Sequence, residues 1–107
     1  MPVGEGVTAA ILDLVRAARP GSDEAPGWLG DTLVWGPGPR AAQALMLVVR
    51  ARAVLNGRFA PSLDDVAAMA YPVLRHRMAL SFAARARGDR IDDVIARLTA
   101  DRARMTA

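Results

Sequence analysis

Arg40 is the residue of this chain whose position invites chemistry. It follows Pro39, which suits the first position of a helix because its missing N–H is no loss there and its fixed φ fits the turn. A guanidinium in that first turn faces the positive end of the helix dipole, which is mildly unfavourable. An anion such as phosphate, met by free N–H groups and the guanidinium together, would offset the cost, and Gly36 and Gly38 would let it approach the backbone. The residues leave a second reading open, in which Arg40 turns back to Asp31 or reaches water.

The other reactive groups read as structure. Asp64-Asp65 and Asp92-Asp93 fall at expected helix starts, where the macrodipole accounts for paired acids without acid-base or metal chemistry. His76 is the single His and there is no Cys, so a His-based triad or a zinc site would lack its partners. Flanked by Arg75 and Arg77, His76 reads as a surface or interface residue. Trp28 and Trp35 stand among turn residues and are expected to anchor a long loop to the core, with base stacking as the alternative. All 14 basic residues are Arg, which excludes a G-x-x-x-x-G-K-[ST] phosphate loop and Schiff-base chemistry. No catalysis is expected from this chain alone.

Those residues must be carried by one small domain, because 107 residues support a single core that buries roughly two thirds of the unfolded surface. Apolar residues make up 52% and aromatics 5%, and the Ala pairs at 9–10, 17–18, 41–42 and 67–68 favour closely packed helices. The fold class expected is all-α. The net charge of +3 is spread along the chain rather than gathered in one block. No apolar run reaches the roughly 18 to 20 residues of a membrane span, and no signal segment opens the chain. A soluble, cytoplasmic protein without cofactor of its own is the expectation.

Apolar residues from Val7 to Ala18 recur at helical spacing and predict a helix over 6–19. Residues 20–38 hold most of the Pro and Gly and read as a long loop, with a short extended piece at 32–35. A helix over 39–56 follows, stopped by Gly57. Leu45, Leu47, Val48, Val49, Val54 and Leu55 cover most of its circumference, so it is expected to be the central buried helix. Ser62 with Asp64 and Asp65 forms a capping signal for a helix over 63–71. Pro72 is expected to break or bend that helix after Tyr71 and give a further short one over 72–77. Met78 to Phe82 reads as extended, and a last helix over 91–104 places Asp93 to pair with Arg97. The architecture expected is a bundle of four to five helices with a short extended pair at about 32–35 and 78–82.

Several of these segments resemble, in order, the lid of MoxR-type AAA+ ATPases. Gly36-Pro37-Gly38-Pro39-Arg40-Ala41 is similar to the family's Gly-Ala-Ser-Pro-Arg-Ala, and Leu45 to Arg58 resembles the Ala- and Leu-rich helix that follows it. Ser62 to Val66 resembles a Thr-Pro-Glu-Asp-Val helix start, Val73-Leu74-Arg75-His76-Arg77 matches Val-Leu-Arg-His-Arg, and Ala17-Ala18-Arg19 resembles the end of the opening helix. Gly38 stands where the family has Ser, Pro37 where it has Ala, and residues 20–34 look longer than usual.

The resemblance implies that residues 1–107 are one small helical lid, cut from or encoded apart from the nucleotide-binding core that precedes it in complete members. Arg40 would be the sensor-two Arg, reaching from the lid to the γ-phosphate of ATP held with Mg2+ in that core. The implied parent is an ATP-hydrolysing, chaperone-like remodelling enzyme of metalloenzyme or complex maturation. Its implied partners are the core in cis, neighbours in a hexameric ring and a von Willebrand factor A domain protein. Two rivals come from other classes: a basic helical nucleic-acid-binding module using Arg50, Arg52, Arg75, Arg77, Arg85 and Arg87 on phosphates, and a free-standing protein-interaction module.

Overall fold

The computed structural model describes the backbone of residues 3–106 and the side chains of residues 3–102. In chain order it has α1 (Glu5–Ala17), a 3-10 turn (Leu29–Asp31), β1 (Leu33–Trp35), α2 (Pro39–Leu55), α3 (Leu63–Leu74), β2 (Ala79–Leu80), α4 (Phe82–Arg87) and α5 (Ile91–Thr106). The two strands pair antiparallel, Leu33 opposite Leu80 and Trp35 opposite Ala79, with an irregularity between. The expected all-α bundle with a short extended pair is therefore the fold observed.

Four helices share one core. Ile11 and Leu14 of α1, Leu45 and Val49 of α2, Ala70 and Leu74 of α3 and Leu98 of α5 are all almost fully buried. On α2 the buried positions are Ala41, Leu45, Val49 and Ala53, one every fourth residue, which is a single stripe along an α-helix. The expectation of a helix buried all round is thus corrected: Leu47 and Val54 are mostly exposed, at 66% and 60%. The small alanines at both ends of the stripe let neighbouring helices come close, and the larger apolar residues stand to the side.

Pro72 does not end α3, which continues through it to Leu74, and no separate helix spans 72–77. Pro72 and Ala68, whose carbonyl loses its donor to the ring, both lie exposed, so the lost bond falls on the solvent side of the helix. Val73 and Leu74 are buried and hold the last turn in place. The extended segment is shorter than expected as well, because Phe82 belongs to α4. Ser81 starts that helix by accepting from the Ala84 N–H at 3.0 Å, and Gly88 ends it at φ 86°. The Ser81 N–H and hydroxyl also donate to Thr32 O and Asp31 O at 2.8 Å each, so one serine fastens α4 to the strand pair and the 3-10 turn.

The long loop is pinned from several sides. Trp28 packs partly buried against the core with the Arg97 guanidinium 4.1 Å from its ring centroid, a cation–π contact. Arg97 is therefore committed to Trp28, and the expected Asp93 to Arg97 pair is not among the ion pairs of the described residues. Trp35 corrects the other half of the tryptophan expectation, since it is 53% exposed. At the far end Arg102 donates to Asp13 through Nε at 2.6 Å and to Glu24 O at 3.3 Å, tying α5 to α1 and to the loop.

Candidate functional site

The approach to Arg40 is rigid by packing. A Cβ at Gly36 would collide with the Ala18 carbonyl oxygen and stand 3.2 Å from Arg19 Cα, so only glycine lets this backbone lie against the end of α1. Pro37 is fully buried. Gly38 is the N-cap residue and brings no side-chain oxygen to the first turn of α2, while Pro39 takes the first helical position. Gly36 thus serves chain packing, whereas a Cβ at Gly38 would meet nothing within 4 Å.

Arg40 itself is exposed, and no hydrogen bond or ion pair from it to Asp31 or any other described residue forms. Its guanidinium borders a shallow groove of about 470 Å³. Trp35, Gly36, Gly38, Pro39 and Ala41 also line that groove, together with His76 and Arg77 from the turn after α3. No carboxylate lines it. Arginines from two elements and an exposed indole are chemistry suited to an anion carrying a flat group. Spacing in the sequence could not bring His76 and Arg77 to Arg40, because they meet only once α3 is packed on α2.

The acid pairs separate in role. Asp64, Asp92 and Asp93 are exposed near helix starts, as expected. Asp65 is fully buried and accepts from Arg52 Nη1 at 2.5 Å, from Arg58 Nη1 and Nη2 at 2.7 and 2.6 Å, and from the Ser62 N–H at 2.7 Å. The Arg58 hydrogen bonds, helped by Ser62 and Arg52, hold its carboxyl well below the usual aspartate range against the opposing effect of burial. The same bonds raise Arg58. This network staples α3 to the end of α2, and sequence spacing showed only its capping half. The missed signal was Arg52 and Arg58 flanking Gly57, in reach of an acid at the third position of the next helix.

The arginines of the nucleic-acid reading fare unequally. Arg52 is held by Asp65, Arg87 by Asp89 at 2.8 Å, and Arg75 lies 5.2 Å from the Tyr71 ring centroid with its Nε donating to His76 Nε2 at 3.1 Å. Among the described residues, no group of three or more His or carboxylates is placed to hold a metal ion, and no helix is long and apolar enough to cross a membrane.

Helices α1, α2, α3 and α5 around one core, with a two-stranded clip beside them, define a helical lid. The AAA lid domain family matches residues 31–98, well over half of the chain, and the chain belongs to that family. Its structure is similar to a protein from Cytophaga hutchinsonii described as a "putative ATPase", with a TM-score of 0.83 and 28% identity, covering 90% of this chain and 29% of that one. The chain therefore spans less than a third of that relative's length. No match was found among curated proteins.

Proposed function

We propose that this chain is the lid of a MoxR-type AAA+ ATPase and that Arg40 is its sensor-two arginine, directed at the γ-phosphate of ATP bound in a nucleotide-binding core. The observation that carries this reading is the placement of Arg40: in the first turn of α2, exposed, without a partner among the described residues, at the edge of a groove free of carboxylates. The AAA lid family match and the similarity to the Cytophaga hutchinsonii protein support an ATPase parent. The order of motifs from Gly36 to Arg77 supports the MoxR type.

On this reading the core supplies the phosphate loop and the acidic strand that this chain lacks, and Mg2+ is held there with the nucleotide. The lid supplies one cation to the transferred phosphate, in a cytoplasmic ring whose neighbours and von Willebrand factor A domain partner use ATP-driven remodelling on a client. One charge-assisted contact contributes about 1.5 to 3 kcal/mol, whereas micromolar affinity needs about 8 kcal/mol. The chain alone is expected to show no micromolar ATP site by calorimetry.

The decisive experiment joins the chain to its AAA+ core and compares ATP hydrolysis with that of Arg40→Ala. A loss of about tenfold to a hundredfold is expected, the rate equivalent of one charge-assisted contact. Unchanged hydrolysis in the variant removes the sensor-two assignment.

A further inference from the structure

The groove beside Arg40 is lined by a second arginine, Arg77, and nothing in the sensor-two reading uses it. Arg77 follows α3 and donates from Nη1 to the Val73 carbonyl at 2.7 Å. That bond employs one of the five N–H groups of a guanidinium, and fixes the group at the end of the helix. No other partner for it is found among the described residues.

Arg75, two positions earlier, is a built-in contrast. It lies over Tyr71, with Nη1 3.3 Å from the Tyr71 hydroxyl, and it does not line the groove. Its Nε donates to His76 Nε2, so a neutral His76 carries its proton on Nδ1, and that N–H remains a donor. The turn after α3 thus sorts its cations: Arg75 is packed on its own helix, and Arg77 is presented to the groove that Arg40 borders.

Two arginines that line one groove repel each other, and no carboxylate lines that groove to offset them. A single phosphate can be gripped in bidentate fashion by one arginine. A polyphosphate chain offers oxygens on successive phosphorus atoms and can engage two arginines at once. We infer that Arg77 is a second phosphate-binding residue, which with Arg40 clamps the polyphosphate chain of a nucleotide in this groove. This rests on the reading of Arg40 as phosphate-facing. It adds that the lid grips the chain from the start of α2 and from the turn after α3.

Tripolyphosphate titrated at low salt into the isotope-labelled chain, followed by the side-chain Nε–H signals of its arginines, tests the clamp. Arg40 and Arg77 are expected to shift together with one shared Kd in the millimolar range, while Arg75 stays still. Arg77→Ala and Arg40→Ala should each raise the Kd about tenfold, the equivalent of about 1.4 kcal/mol, and Arg75→Ala should leave it unchanged. If Arg40 shifts and Arg77→Ala has no effect, the clamp is wrong and the sensor-two reading stands. If Arg77→Ala weakens binding and Arg40→Ala does not, the Arg40 reading itself fails and takes the clamp with it. Equal affinity for inorganic phosphate and tripolyphosphate would reduce the groove to a simple anion site and overturn the clamp. Absence of any shift overturns the clamp, and the sensor-two reading is then decided by hydrolysis in the joined protein. Should Arg77→Ala lose its native amide spectrum, the shift pattern of the unaltered chain decides alone.

Discussion

Asp65 shows how one buried charge organises this fold. Its carboxylate is fully buried, yet it is saturated by Arg58, Arg52 and the Ser62 N–H. Removing the charge leaves two arginines facing an empty acceptor, and Asp65→Ala is expected to destabilise the fold by about 2 to 3 kcal/mol. The estimate sits low in the range for buried pairs because both arginines keep over a third of their side chains in water, 36% and 37%. The pH dependence follows from the lowered pKa. The unfolded chain titrates this group near its ordinary value of about 3.9, so the stabilisation is complete above that pH. It is lost as pH falls from there towards the lower folded value. Thermal melts at pH 7 and pH 3 should show a steeper acid loss in the native chain than in Asp65→Ala. Arg40 is the opposite case, exposed and without a partner among the described residues, and Arg40→Ala should leave the melting temperature unchanged within about 1 °C. A large drop would mean that Arg40 supports the fold and is not free to serve a ligand.

At the level of elements, the most sensitive joint is the one just before α2. Gly36 lies against the Ala18 carbonyl so closely that a methyl group cannot be added without moving one backbone from the other. Gly36→Ala is expected to destabilise by about 1 to 3 kcal/mol, and to displace the start of α2. Its mark in chemical-shift maps should centre on Ala18, Pro37 and Arg40, and a change confined to residue 36 would count against the packing role. The clasp of Arg102 on Asp13 joins helices far apart in sequence. Arg102→Ala combined with Asp13→Ala in a double-mutant cycle should give a coupling of about 1 kcal/mol that weakens with added salt. Pro72 teaches a different lesson. The ring removes one helical hydrogen bond, but on the exposed side of a turn whose next two residues are buried, so burial outweighs the lost bond.

At the scale of the whole molecule, the chain covers 29% of a larger relative. Its core is complete enough to hold five helices and a strand pair in register, while its surface leaves Leu47, Leu55, Phe59 and Phe82 exposed at 66%, 86%, 93% and 87%. On the proposed reading a core in cis would supply the nucleotide site, and the lid would add Arg40 to it. ATP hydrolysis by the joined protein should therefore respond to Arg40→Ala, whereas ATP added to the lid alone should give no micromolar heat signal.

Local chemistry by itself determined the helical class, the capped start at Ser62, the stop at Gly57 and the singular position of Arg40. Each of these follows from neighbours a few residues apart: an amphipathic period, a proline at a first turn, a glycine free to take φ 73°. The short helix α4 was equally local, written in Ser81 and Gly88, and went unread because Leu80 and Phe82 alternate like a strand. Tertiary structure alone decided the rest. Burial chose which face of α2 turns inward, carried α3 past Pro72, and drew Arg97 to Trp28 instead of Asp93. It also turned Asp65 from a helix-start acid into the centre of a staple, and set Arg77 in one groove with Arg40. Such choices depend on which surfaces meet when helices pack, and residues 37 positions apart carry no periodic signal of meeting.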